Sequence, residues 1–323
     1  MIIKTLGICI PTYKRPDFLR RCVLSALEAA GDQNVRIFIT DDSMDDTNSA
    51  LYNELQKKTN LITIHRNLNN LGIDDNIQKC IEICDCDYAW IVGEDDFFLP
   101  GSVSRVFQLL QTTQTPFVFC NYAYVGDDVT RMIGRALDEP QGYISGIEFI
   151  TNHLWAAGFI GACIVDRRLW SSTNATPYKG TYYTHVGRIC EMLALTQRPV
   201  YIVSDPCIAN RVEGADTFTW KHDSYGVFFG FKSMCDAVAH QCPSIATSVH
   251  QASVVMSERY GWLTLRVAIR LRAELGYDFN QYKRYLKNSI DNVFKKNIFL
   301  IISVMPPLIL KPLVGVYRKI RNF

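Results

Sequence analysis

Three short polar clusters each follow an apolar run within the first hundred residues. Pro11-Thr12-Tyr13 follows residues 6–10, Asp41-Asp42-Ser43 follows residues 35–40, and Glu94-Asp95-Asp96 follows residues 88–92. Crowded carboxylates repel one another unless a cation or several donors join them. Asp95 and Asp96, directly behind a strongly apolar run, suit a hard divalent ion that keeps several waters and bridges to phosphates. Asp45 and Asp46 have a simpler reading, as caps for the helix that follows. Two common nucleotide sites are excluded by pattern. The chain has no G-x-x-x-x-G-K-[ST], and no G-x-G-x-x-G follows its first apolar run. Cys84-Asp85-Cys86 is not a zinc spacing and reads as small buried residues, and the histidines form no H-E-x-x-H.

The elements that must position these clusters alternate in type. Residues 6–10, 35–40, 61–65 and 88–92 read as buried strands, with Pro11 denying the first ladder an N–H. Residues 16–30, 46–58, 73–84 and 100–111 repeat apolar side chains at helical spacing. Strands separated by helices imply right-handed crossovers and a mostly parallel sheet. Ligands of such sheets bind beyond the carboxyl ends of the strands, where all three clusters fall. After a strand at 117–122, residues 126–142 form a polar, glycine-containing excursion expected near the site. Further strands are expected at 159–165 and 200–203, with helices at 183–195 and through 225–294.

Composition bounds the function. Of 323 residues, 48% are apolar and 20% charged, a globular balance that excludes wholesale disorder. Lys and Arg number 34 against 32 Asp and Glu, so the net charge of +2 gives no support to a nucleic-acid partner. Eleven cysteines, with no secretory pattern at the first residues, point to a reducing, cytoplasmic setting.

Taken in order, Ile8-Cys9-Ile10-Pro11-Thr12-Tyr13-Lys14-Arg15, Thr40-Asp41-Asp42-Ser43, Asn70-Leu71-Gly72 and Gly93-Glu94-Asp95-Asp96 resemble the family 2 glycosyltransferases over about residues 1–215. Tyr183-Thr184-His185-Val186 and the segment from Arg211 to Phe218 are similar to a narrower group, the bacterial O-antigen enzymes of abequosyltransferase type. The resemblance implies an α/β GT-A fold, a nucleotide-sugar donor with a pyrimidine base, and a divalent metal, Mn²⁺ or Mg²⁺. The acceptor it implies is a glycan or lipid-linked glycan. It also implies roles for residues. Asp41 accepts a hydrogen bond from the base, with Pro11 and Tyr13 packing beside it, and Arg15 approaches the phosphates. Asp95 faces ribose or metal, Asp96 ligates the metal directly, and Arg211 offsets charge on the departing diphosphate. A surface ion-pairing role for Arg211 stands beside that one.

The chain departs from the family at one place. Many inverting members open the acceptor-side helix with an E-D pair whose aspartate is the base, whereas residues 182–186 contain no carboxylate. His185 is the candidate base, since imidazole titrates near neutrality. A satisfied structural histidine, or one binding acceptor or phosphate, is the alternative, and a retaining reaction needs no such base. The enzymatic rival is a nucleotidylyltransferase, whose glycine-rich basic N-terminal loop is missing here. The non-enzymatic rival is a scaffold that only binds nucleotide or glycan. The expected organisation is a catalytic GT-A domain at 1–220, a helical accessory domain at 221–294 and a basic, apolar tail at 295–323. That tail has six basic residues and no acidic one, and its apolar run at 298–310 is too short to span a bilayer, which takes about 20 residues. It is expected to attach peripherally to an anionic membrane surface, the cytoplasmic face of the inner membrane. Packing back on the domain is the alternative. The motifs leave the oligomeric state open.

Overall fold

The computed structural model describes residues 3–126, 131–211 and 223–321, with side chains to residue 315. The N-terminal half follows the expected alternation: β1 (Leu6–Thr12), α1 (Pro16–Ala30), β2 (Arg36–Asp41), α2 (Ser49–Lys58), β3 (Ile62–Arg66), α3 (Gly72–Ile83) and β4 (Tyr88–Ile91). A two-residue β5 (Phe97–Phe98), α4 (Ser102–Thr112), β6 (Phe117–Val125) and two short strands, β7 (Met132–Arg135) and β8 (Gly142–Ile144), come next. Then α5 (Gly146–His153) leads through two 3₁₀ turns, Leu154–Gly158 and Ile160–Ala162, into β9 (Cys163–Asp166). The one-turn α6 (Arg167–Ser171), α7 (Thr184–Thr196) and β10 (Val200–Arg211) complete this part.

The strands form one sheet in the order β3-β2-β1-β4-β9-β6-β10-β5, with β7 on β6 and β8 on β10. The first four are mutually parallel, with Ile10 opposite Ile39 and Cys9 opposite Ile91. Alternate residues face opposite layers, as strand geometry requires. Ile8, Ile10, Ile37 and Trp90 pack toward α1 and α4, while Cys9, Phe38 and Ile91 pack toward α3 and the helices after it.

Beyond β4 the sheet is mixed. The strand expected at 159–165 is shorter, and it runs antiparallel to both β4 and β6. Residues 154–162 are coiled into 3₁₀ turns around Gly158 and Gly161, so only four residues remain extended. The strand expected at 200–203 continues to Arg211, its register to β6 broken between Val203 and Ile208, where Pro206 has no N–H to donate. The excursion at 126–142 includes the β7 hairpin partner of β6.

The C-terminal part is helical, as expected: α8 (Ser224–Gln241), α9 (Ala246–Tyr260), α10 (Leu265–Glu274), the short α11 (Phe279–Gln281), α12 (Val293–Val304) and α13 (Pro307–Arg321). One apolar cluster runs from Phe119 and Val165 under the sheet through Phe231 and Leu271 to Phe299 and Leu310. The three segments expected from sequence therefore share a core.

Candidate active site

The three polar clusters meet at the carboxyl ends of the adjacent strands β2, β1 and β4. Proline at the first position of α1 starts that helix four residues after Thr12, and Lys14 makes the sharp turn with a φ of 55°. That turn is held by Lys14 N–H donating to Ser43 Oγ at 2.7 Å. It presents Tyr13, which is 47% exposed, and swings Arg15 back over the acidic motif.

Glu94, which the sequence offered only as a neighbour of the aspartates, ties β1 to β4. Its Oε2 accepts from Thr12 Oγ1 and, at 3.1 Å, from Tyr13 N–H. Arg15 Nη1 lies 3.4 Å from Glu94 Oε1 and 3.1 Å from Asp95 Oδ2. Burial pushes the Glu94 carboxyl up to about 7 against the pull of those donors. Asp96 is also buried, and its Oδ2 accepts the Gly93 N–H at 3.0 Å. Desolvation first, and the Asp95 charge second, hold its carboxyl well above the ordinary range. Asp95 differs, with 29% of its side chain exposed. The expected division, with Asp96 as the direct ligand, runs against this geometry. Asp96 is folded back on its own loop, and Asp95 is the carboxylate presented outward.

Positive charge converges on one ring beside this motif. The guanidinium carbons of Arg15, Arg21 and Arg211 lie 4.2, 4.7 and 5.8 Å from the centre of the Phe18 ring. The structure thus brings Arg211, from the end of β10, to the same ring that Arg15 packs on. Phe18 was legible only as an apolar position of α1. Residues 212–218 of the expected Arg211 segment lie outside the described residues.

Asp41 does not present itself to a ligand. It is fully buried, with Oδ1 accepting from Ser43 N–H at 2.7 Å and Oδ2 from Tyr52 Oη at 2.6 Å and Asn48 Nδ2 at 3.1 Å. The expected contact with the base gives way to a structural one, because three internal donors occupy its oxygens. Pro11 is likewise buried in the β1 ladder opposite Thr40. Two asparagines missed in the sequence join the strand ends. Asn76 donates to the Thr12 and Thr40 carbonyls at 3.4 and 3.3 Å, and Asn67 Nδ2 donates to Asp42 Oδ1 at 2.7 Å and Asn76 Oδ1 at 2.9 Å.

His185 opens α7 and is buried, with Nε2 3.1 Å from the Ala157 carbonyl and Nδ1 without a partner among the described residues. Burial lowers its pKa from 6.5 to about 4. An enclosed imidazole so hard to protonate does not match the expected base titrating near neutrality. The 3₁₀ segment links it to the acidic motif, since a Cβ at Gly161 would stand 3.0 Å from Asp96 Oδ2.

Among the described residues no three His, Cys, Asp or Glu side chains converge to hold a metal. One outward carboxylate is nevertheless the donor set of a hard ion completed by substrate phosphates and water. Asp95 pairs with Arg15 through Oδ2, and its partly exposed side chain leaves Oδ1 as the oxygen to offer such an ion.

A sheet of this order, with carboxylates and guanidinium groups gathered at its strand ends, defines a GT-A glycosyltransferase. The description Glycosyl transferase family 2 matches residues 7–168, and the chain belongs to that family. It is 23% identical over 312 residues to abequosyltransferase RfbV of Salmonella typhimurium, covering 90% of this chain and 92% of that protein. Two solved structures of S. aureus TarS residues 1–349 share the fold. The UDP-GlcNAc complex superposes with a TM-score of 0.60 at 10% identity, covering 93% of this chain and 90% of the other. The UDP complex gives 0.58 at 9% identity, with the same coverage of each chain.

Proposed function

We propose that this glycosyltransferase moves a sugar from a pyrimidine nucleotide-sugar to a glycan or lipid-linked glycan acceptor in O-antigen or other cell-surface polysaccharide synthesis. The observation that carries this reading is the Arg15 bridge to Glu94 and Asp95, beside Arg211 on the Phe18 ring. Opposite charges held at the ends of parallel strands match the needs of a diphosphate that gains charge as its bond to the sugar breaks. Likeness to the abequosyltransferase along most of both chains supports the choice of pathway class.

In this mechanism the nucleotide base stacks beside Tyr13, on a loop that Asp41 fixes from within. Arg15 and Arg211 bind the diphosphate and offset the charge of the departing group. Asp95 would hold a divalent ion, Mn²⁺ or Mg²⁺, which supplies Lewis-acid neutralisation of the leaving phosphates when bound. His185 supports the wall of the site through the Ala157 carbonyl.

A panel of UDP-, dTDP- and CDP-sugars, with Mn²⁺ and a lipid-linked glycan acceptor, tests the reading by nucleoside diphosphate release and the anomeric form of the product. Release with one nucleotide class, abolished in Arg15→Ala, is expected. No release and no thermal stabilisation by any member of the panel would overturn it.

A further inference from the structure

The last two helices are apolar on two faces. One face of each is seated on the protein, with Phe299 and Ile302 of α12 and Leu310 and Val314 of α13 buried. The other is open. Phe294 is 76% exposed and Leu308 75%, and Ile301, Val304, Ile309 and Leu313 are all more than half exposed. A helix at a water-facing surface carries polar residues on its outer side, whereas one that is apolar all round needs apolar surroundings on both.

The geometry decides how such surroundings are met. No single helix among the described residues is long and apolar enough to cross a membrane, and α12 and the first residues of α13 meet at a bend of 108°. The twelve residues of α12 extend about 18 Å, short of a ~30 Å hydrocarbon layer. The corner is built in. Arg272 Nε donates to the Met305 carbonyl at 2.7 Å, its Nη1 donates to the Tyr277 carbonyl at 2.9 Å, and Tyr277 Oη donates to the Phe299 carbonyl at 2.9 Å. A pair fixed in this bend makes no single straight span, and its exposed apolar side chains can meet a surface without crossing it.

Charge identifies the surface. Residues 292–323 contain six of the chain's 34 basic residues (Lys295, Lys296, Lys311, Arg318, Lys319 and Arg321) and none of its 32 acidic ones. Pairing this face with a second copy of the chain would set cations against cations. Anionic lipid headgroups satisfy the cations while the acyl boundary takes the apolar side chains. We infer that α12 and α13 dock the enzyme peripherally on an anionic bilayer, with the open faces around Ile301 and Ile309 embedded at the headgroup–acyl boundary. This goes beyond the transfer reaction and does not depend on it.

The test is co-sedimentation of the full chain with phosphatidylcholine vesicles, with and without one quarter phosphatidylglycerol. Binding to the anionic vesicles, weakened by salt and weak on the neutral ones, is expected. Leu308→Ser with Ile309→Ser and Leu313→Ser should lower partitioning at least about tenfold. Lys295→Ala with Lys296→Ala and Lys311→Ala should lower it by up to about fivefold per lysine. All six positions lie on the outer side or are partly exposed, so an unchanged melting temperature reports an intact fold. Equal partitioning of the serine variant and the unmutated chain overturns the proposal. So does binding that ignores lipid charge, or a dimer, lost in the serine variant, from a chain that ignores vesicles.

Discussion

Protonation of His185 should destabilise the protein in a way that one substitution removes. Its imidazole is fully enclosed, accepts nothing at Nδ1 among the described residues, and has a pKa near 4 in place of 6.5. The neutral ring is favoured by folding, so the stability it contributes is complete above about pH 6.5 and is lost as pH falls toward 4. At ~1.4 kcal/mol per pH unit, the full difference is about 3 kcal/mol, and about 2 kcal/mol of it falls between pH 7 and pH 5. For a chain of this size that is a fall in melting temperature of roughly 3–5 °C beyond the background of other titrating groups. His185→Gln keeps an N–H for the Ala157 carbonyl and cannot titrate. Thermal unfolding of both proteins across that range should give curves that converge at low pH. Parallel curves, or an imidazole titrating near 6.5 by NMR, would refute the reasoning. A limb near neutrality in the pH–rate profile, present in the unmutated enzyme and lost in His185→Gln, would return the base role to this residue.

Asp95→Asn should lower transfer at least about 10²-fold with an unchanged melting temperature, because its partly exposed ion pair contributes at most about 1 kcal/mol. Asp96→Asn keeps an acceptor for the Gly93 N–H and should cost much less activity; equal losses in steady-state assays would refute the outward assignment of Asp95. Arg211→Ala should raise the KM for donor about 10–100-fold, the range for one charge-assisted hydrogen bond, and an unaltered KM would detach Arg211 from the phosphates. Tyr52→Phe leaves a buried oxygen of Asp41 short of a donor and should destabilise by about 1.5–3 kcal/mol in chemical denaturation; a change within experimental error would show that water or Asn48 compensates.

The N-terminal half of the fold was legible because β1, β2 and β4 are buried on both faces and its helices repeat cleanly. The periodicity of residues 16–30, for example, returns as the buried row Leu19, Cys22, Val23 and Ala26. Strand direction carries no such signal. Phe159 and Ile160 look extended beside Cys163, but Gly158 and Gly161 permit the tight turns that hydropathy cannot distinguish from a strand. In the site, the importance of the acidic motif followed from its place behind a buried strand. Which aspartate faces outward depends on Asp96 turning back to its own Gly93, a contact beyond any periodic pattern. The internal partners of Asp41 were not legible because Asn48 and Tyr52 lie 7 and 11 residues away, before and in a helix whose approach to the β2 loop is a tertiary event. The enclosure of His185 likewise depends on a 3₁₀ turn 28 residues earlier.

The position of β9 in the middle of the sheet shapes the order in which the protein can mature on the ribosome. Strands β3, β2, β1 and β4 emerge first and can pair at once, yet the free side of β4 waits for residues 163–166, some seventy positions further along. β6 emerges in the interval and also waits, since β9 pairs it to the rest of the sheet. Until then two apolar edges, Tyr88–Ile91 and Phe117–Phe119, have unsatisfied backbone groups, the arrangement most prone to mispairing between nascent chains. The strand that joins the two halves of the sheet is also the one reached through Gly161, whose carbonyl accepts from Trp90 Nε1 at 2.8 Å. Joining of the two halves of the sheet and the approach of Gly161 to the acidic motif are thus the same late step, and only β10 and the strands it holds remain to be added after it.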